Sequence, residues 1–262
     1  MMFSKSAYPL TEKTVWITGA SSGIGLQLSR DLASKNNLII ASGRNTSALE
    51  QLQQQFPNNI VVLSFDLSND AHWASLPSRF RDFTDTLDGV IAAAGICEYL
   101  DDPLTGQAIY RRVFEVNFFA MIRTLSIAVP LLKKSESQAF FAGVSSMAAQ
   151  APFTRTQAYG ASKAACEYWL GCQRIDLEPQ GIHVITISPG FVDTPLTRQN
   201  DFPMPTLISV EEASDIICTG IAQNRKSIVF PKRLLWMLRI YRWFPGLWFG
   251  PIARKMRRAQ DI

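Results

Sequence analysis

Apolar residues recur along this chain in two alternating periods. Short runs rich in Val, Ile, Leu and Phe read as buried strands, and the stretches between them carry apolar positions three and four apart, as helices do. Strands are predicted at 13–18, 38–41, 60–65, 87–94, 139–144, 182–187 and 228–230. A first helix carries Leu26, Leu28 and Leu32; the next runs from the cap residue Asn45 to about Phe56, where Pro57-Asn58-Asn59 stops it. Further helices are predicted at 71–83, 108–132, 157–177 and 210–222. The long one sets Val113, Phe114, Val116, Phe119, Ile122 and Leu125 on its apolar face, and Pro130 is expected to distort its last turn. Strands separated by helix-length segments imply one α/β domain, a doubly wound parallel sheet of about seven strands with helices on both faces.

The pattern changes after the last strand. On a helical projection of 232–244, Leu234, Met237, Leu238, Tyr241 and Phe244 fall on one face and Lys232, Arg239 and Arg242 on the other. We therefore divide the chain into a body, residues 1–230, and a basic, aromatic, amphipathic extension, residues 231–262. Residues 225–262 hold ten Lys/Arg and one acid, against 26 and 22 in the whole chain, so the body is acidic and the net charge of +4 belongs to the tail. That asymmetry argues against a nucleic-acid-binding body. Three of the six tryptophans (Trp236, Trp243, Trp248) lie in the tail, followed by the basic run 254–258. Arg239, Arg242 and Pro245 count against a membrane-spanning helix. Two readings stay open for residues 232–258: an interfacial helix on an anionic membrane, or an extension packed on protein. The four cysteines have no paired spacing and the two histidines give no metal centre, so no metal is expected. With no long apolar run at the start, a cytoplasmic setting is expected, at the inner or cytosolic membrane face if the tail binds lipid.

Chemistry concentrates where predicted strands end. Gly19-Ala20-Ser21-Ser22-Gly23-Ile24-Gly25 follows the first strand and opens the first helix, the arrangement that lets backbone approach a phosphate at a helix N-terminus. Its spacing, Gly-x-x-x-Gly-x-Gly, differs from the Gly-x-Gly-x-x-Gly fingerprint. Arg44, Asp66, Gly95, Ser146 and Pro189-Gly190 likewise come just after strands, where ligands of such sheets bind. Tyr159 and Lys163, four apart, share one helix face. A lysine ammonium at that distance is expected to lower the phenol pKa toward neutrality, suiting acid–base work on a carbonyl or alcohol.

Over residues 12–230 the chain resembles the short-chain dehydrogenase/reductase family, a Rossmann-like fold. The resemblance rests on Thr18-Gly19 through Gly25, Asp66-Leu67, Ala94-Gly95, Asn117, Val144-Ser145-Ser146, Tyr159-Gly160-Ala161-Ser162-Lys163 and Pro189-Gly190 through Thr194. The thirteen residues from Ser146 to Tyr159 fit as well. The resemblance implies that Tyr159 is the general acid or base and that Ser146 binds the substrate oxygen. Lys163 would hold the nicotinamide ribose, and Asn117 would sit at a helix distortion and hold a water serving Lys163. Taken alone, Asn117 reads equally as a helix-bending core amide. By the same resemblance Gly19, Ser21, Ser22, Gly23, Ile24, Gly25, Asp66, Leu67, Ala94, Gly95, Pro189, Gly190, Val192 and Thr194 line the cofactor site. The helices holding Asn117 and Tyr159 form a dimer face in this family, so a homo-oligomer is an expectation. One departure is Ala92-Ala93-Ala94-Gly95, where the family carries Asn-Asn-Ala-Gly; we read the two lost amides as structural.

Arg44 at the end of the second strand, with no acid until Glu50, favours a 2′-phosphate over a free ribose diol, hence NADP(H). The other reading is an exposed arginine opening a loop. Ile96, Cys97, Tyr99, Phe153, Phe191 and Phe202 are the expected substrate wall, and their apolar character suggests a lipophilic ketone, aldehyde or secondary alcohol. Asp201–Pro205 is expected to act as a lid. Besides this oxidoreductase, a turnover-free cofactor-binding regulator or scaffold and an isomerase or lyase on the same fold stay open.

Overall fold

The computed structural model describes residues 8–101, 106–202 and 204–252. Seven strands form one sheet: β1 (Thr14–Thr18), β2 (Leu38–Gly43), β3 (Ile60–Ser64), β4 (Gly89–Ala92), β5 (Ala139–Val144), β6 (Ile182–Pro189) and β7 (Ser227–Phe230). Their order is β3-β2-β1-β4-β5-β6-β7, with every neighbouring pair parallel. The connecting helices are α1 (Gly23–Ala33), α2 (Thr46–Gln55), α3 (Asp70–Arg81), α4 (Gln107–Phe114), α5 (Ala120–Leu132), α6 (Gln157–Leu177) and α7 (Val210–Ala222).

Alternation along each strand divides the core. Val15, Ile17, Phe140 and Ile185 point into one layer, while Trp16, Phe141 and Val184 point into the other. The single polar group on Trp16 is satisfied, its Nε1 donating to Ser42 Oγ at 2.8 Å. Because β1 sits between β2 and β4, successive crossovers leave it in opposite directions. The crevice beyond the carboxyl ends of β1 and β4 is therefore the ligand position of this topology.

Helix starts follow the predicted chemistry. Asn45 Oδ1 accepts from Ala48 N, and Ser209 Oγ accepts from Glu212 N. Helices α6 and α7 run over the predicted residues. The predicted helix 108–132 is instead two α-helices joined by a π turn, Glu115–Phe119, and α5 continues past Pro130 to Leu132. Strand β4 is shorter than the predicted 87–94, starting at Gly89 and stopping at Ala92.

The extension is a helix, α8 (Lys232–Trp243), followed by a short α9 (Pro245–Leu247) and a π turn, Trp248–Ile252. It has two apolar faces where one was expected. Leu234 and Leu238 are buried, and with Trp248 they pack on Met147 and Ala151, joined by Tyr241, Phe153 and Phe191. Met237 and Phe244, assigned to that same face from sequence, are exposed. The spacing 234, 238, 241 is the stripe that meets the body, which turns 237 and 244 outward. Trp248 Nε1 donates to Pro152 O at 2.9 Å and fixes the end of the extension. The basic run 254–258 and Pro203 lie outside the described residues.

Candidate active site

The site is assembled at the carboxyl ends of the strands. Helix α6 presents Tyr159, Lys163 and Glu167, each one turn from the next, toward the loops that follow β4, β5 and β6. Ser146, at the end of β5, caps the short 3₁₀ turn Met147–Ala149 by accepting from Ala148 N at 3.1 Å. Its hydroxyl also stands beside the Tyr159 phenol. Lys163 is only 3% exposed, donates Nζ to Val144 O at 2.8 Å and stands 5.9 Å from the centroid of the Tyr159 ring.

These surroundings correct the expected direction of the Tyr159 pKa. Burial pushes the phenol above its ordinary value, and the Ser146 hydroxyl draws it only part of the way back. Burial likewise drives the Lys163 ammonium down. One Lys163 N–H is engaged by Val144 O, and burial is the larger influence on the Tyr159 phenol.

Asn117 lies within the π turn and is fully buried. Its Oδ1 accepts from Ile96 N at 2.8 Å, and its Nδ2 donates to Ile96 O and to Ser162 Oγ, both at 3.0 Å. Ser162 Oγ in turn donates to Tyr159 O at 2.7 Å, and Cys166 Sγ reaches Asn117 O at 3.3 Å. Asn117 thus braces both the chain after β4 and the first turn of α6. A β-carbon on Gly95 would stand 3.2 Å from Asn117 Oδ1 and 3.3 Å from Lys163 Nζ, so Gly95 is what lets that chain pass the two groups.

A cleft of about 160 Å³ runs past these residues. It is lined by Gly19, Ser22, Gly23, Ile24 and Gly25 on one side, by Ala94 and Gly95 in the middle, and by Ser146, Tyr159, Lys163, Pro189, Gly190, Val192 and Thr194 on the other. Gly19 has φ +73°, and a β-carbon there would fall 2.8 Å from Ala94 N and Cα. Ser22 caps α1 without a side-chain hydrogen bond, so the first-turn N–H groups are left to face the cleft. The other predicted cofactor residues stand nearby. Ser21 Oγ lies against Gly43, the buried Leu67 accepts Trp73 Nε1 at 2.8 Å, and Asp66 Oδ1 accepts from Ser68 N and Oγ. The Ser68 hydrogen bonds hold the Asp66 carboxyl below its ordinary range, with Arg44 nearby adding to the effect. A phosphate-bearing dinucleotide fits this donor set: a bare helix N-terminus, a glycine cradle and a lysine at the far end. The two absent amides at Ala92 and Ala93 leave that cradle intact, since Thr18 carries the turn through Ala93 N and, at 3.4 Å, Ala94 N.

A larger cavity of about 560 Å³ adjoins the cleft; Arg44, Glu98, Arg111, Arg112 and Glu115 give it a charged wall, and Ser68, Ile96, Cys97, Val116, Leu196 and Gln199 complete it. Of the six predicted substrate residues, Ile96 and Cys97 line it. Burial pushes the Cys97 thiol up to about 11, while its hydrogen bond to Tyr99 pulls the other way. Tyr99, Phe202 and Phe191 meet edge to face in a row, with ring centroids 6.2 and 6.1 Å apart. Phe153 instead packs on Trp248 at 5.5 Å, turned toward the extension. Arg155 clasps the loops together: its Nε contacts Asp101 at 2.6 Å, its guanidinium reaches Asp201 at 3.1 Å, and it lies 4.8 Å above the Tyr99 ring.

Sequence reasoning missed Glu167. It accepts from Ser188 Oγ and Gln150 Nε2, both at 2.6 Å, and burial raises its carboxyl pKa. Its signal was present, as an acid on the inward stripe of α6 one turn beyond Lys163.

Comparison with known proteins agrees with this architecture. A family model described as short chain dehydrogenase matches residues 13–203. An uncharacterized oxidoreductase of Myxococcus xanthus is 30% identical over 252 residues, 95% of this chain and 99% of its own. Benzil reductase ((S)-benzoin forming) of Saccharomyces cerevisiae is 30% identical over 194 residues, 71% of this chain and 74% of its own. Among solved structures, a short chain dehydrogenase of Burkholderia cenocepacia in complex with NADP superposes with a TM-score of 0.78 at 22% identity, covering 92% of this chain and 97% of that one. A short chain dehydrogenase/reductase of Burkholderia phymatum in complex with NAD gives 0.83 at 17%, covering 92% and 96%. At those identities the structures speak for the fold, while the family model and the relatives speak for descent. The chain belongs to the short chain dehydrogenase family.

Proposed function

We propose that this protein is an NADP(H)-dependent oxidoreductase that moves a hydride between nicotinamide and a lipophilic ketone, aldehyde or secondary alcohol. The carrying observation is the meeting of Tyr159, Ser146 and Lys163 beside the glycine cradle. When bound, the nicotinamide supplies or accepts the hydride. In reduction Tyr159 gives its proton to the carbonyl oxygen, and in oxidation it takes the hydroxyl proton. Ser146 donates a hydrogen bond to that oxygen and orients it.

The bare first turn of α1 takes the pyrophosphate, Lys163 the ribose hydroxyls, and Pro189, Gly190, Val192 and Thr194 the carboxamide end. Arg44, exposed at the end of β2, takes the 2′-phosphate. Of the neighbours above, one is described with NADP and one with NAD, so the choice rests on Arg44. Asn117 fixes Ile96 and Ser162, and Oδ1 offers one further acceptor position to a water serving Lys163. The Tyr99–Phe202–Phe191 row supports a lipophilic substrate, as does the name of the yeast benzil reductase. A homo-oligomer through α6 and the π turn before α5, where Tyr168, Ile175 and Phe119 are exposed, belongs to the same reading, as does a reducing cytoplasmic setting for the four free cysteines.

Following nicotinamide absorbance with a panel of aromatic and aliphatic ketones, aldehydes and alcohols, with each cofactor in turn, tests the proposal. Oxidation of NADPH by apolar ketones, faster than of NADH, is expected. No turnover with any member would contradict it.

A further inference from the structure

We infer that the outward face of residues 232–249 docks on an anionic lipid surface. This inference is independent of the reaction proposed above. Among the described residues twelve large hydrophobic side chains are exposed, and six of them fall in this one short segment: Trp236, Met237, Trp243, Phe244, Leu247 and Phe249, each between 53% and 74% exposed. On α8 the three of these that it carries, Trp236, Met237 and Trp243, occupy a sector of about 120° at ~3.6 residues per turn, and Phe244 follows directly after it. Opposite that sector lie Leu234, Leu238 and Tyr241, which hold the helix to the body.

The cations are placed with this patch. Lys232, Arg233 and Arg239 are exposed on the same outward side, and the Arg239 guanidinium rests 4.8 Å above the Trp236 ring. No acid occurs between residues 227 and 252. Tryptophan, phenylalanine and methionine flanked by arginine and lysine match a headgroup boundary, where the rings enter the acyl edge and the cations meet lipid phosphates. A second copy meeting this face through a two-fold axis would set cations against cations. The acidic body is repelled by an anionic surface, so charge also orients the molecule with the tail inward.

The face is a fixed platform, not a loose arm. Trp248 is buried and bonded to Pro152 O, with Tyr241 5.9 Å from its ring and Phe249 5.7 Å beyond Tyr241. Phe153 touches Trp248 on the other side, and Leu234 lies against Gly190. Docking would therefore hold the lipid within a few aromatic rings of the candidate site.

Co-sedimentation of the full chain with phosphatidylcholine vesicles, with and without phosphatidylglycerol, is the test. The chain should pellet with the mixed vesicles and stay in solution with phosphatidylcholine alone, and added salt should release it. Arg239→Glu loses one attraction and gains one repulsion, and should weaken binding about thirtyfold. Trp236→Ser with Trp243→Ser should weaken it further while leaving the thermal melt unchanged, since both side chains are exposed. Failure to pellet with mixed vesicles, or equal pelleting of the wild type and both variants, would overturn the inference. So would a dimer in size-exclusion chromatography that the tryptophan variant abolishes, because the face would then belong to a second copy.

Discussion

Ser188 donates its hydroxyl to Glu167 at 2.6 Å, tying the end of β6 to the helix that carries Tyr159 and Lys163. With Gln150 on its other oxygen, the same carboxyl also holds the turn that begins at Ser146. Glu167→Ala leaves two partly buried donors without their acceptor, a cost of about 2 kcal/mol in stability. Because Ser146 and Pro189 would both loosen, kcat/KM should fall about tenfold or more. Burial raises the Glu167 pKa, so the folded state prefers the protonated acid. Stability from this group is present below its ordinary value of 4.5 and is lost as pH rises through the folded-state value. Denaturant titrations across that range should show the decline in the wild type and its absence in Glu167→Gln.

Arg44 is exposed, lines the larger cavity and carries the cofactor preference. A charge-assisted contact to phosphate is worth about 1.5–3 kcal/mol, so Arg44→Ala should reduce the preference for NADPH over NADH by about ten- to a hundredfold. Measuring kcat/KM for both cofactors in both proteins checks it. Unchanged discrimination would return Arg44 to an ordinary loop arginine.

Arg155 joins Asp101 and Asp201 across the substrate side and covers the Tyr99 ring. Arg155→Met keeps the bulk but removes both ion pairs. Since the carboxylates are exposed, stability should change by about 1 kcal/mol or less. KM for the carbonyl substrate should rise severalfold, with a smaller change in kcat. A fall in kcat at constant KM would place Arg155 outside substrate positioning.

His183 is buried in β6 with Nδ1 3.7 Å from Glu178 Oε1, and burial lowers its pKa below 6.5. The folded protein therefore binds fewer protons there than the unfolded chain. Stability from this group is present above 6.5 and is lost as pH falls through the folded-state value. His183→Gln should flatten that part of the acid limb, which thermal melts between pH 7 and pH 5 would resolve.

Much of this was legible in the chain because strand alternation and helix caps are local. Asn45 announces α2, and Tyr159 to Lys163 is a one-turn interval visible without coordinates. What was hidden depends on distant partners. The resemblance placed a helix distortion at Asn117, but the partners that hold it, Ile96 and Ser162, are 21 and 45 residues away. The phenol's pKa direction depends on how deeply the folded body encloses it, which a helical projection does not contain. Likewise Met237 and Phe244 were read on one apolar face with Leu234 and Leu238, because projection alone does not divide that face into the stripe that meets Met147 and Ala151 and the one turned outward.

The central claim is that Tyr159 handles the proton. The direct measurement is NADPH oxidation by a ketone substrate in Tyr159→Phe, with cofactor binding followed separately by nicotinamide fluorescence. Loss of the acid should lower kcat by about 10²- to 10⁴-fold while NADPH binding stays near that of the unmodified chain. Turnover in Tyr159→Phe close to that of the unmodified chain would contradict the account.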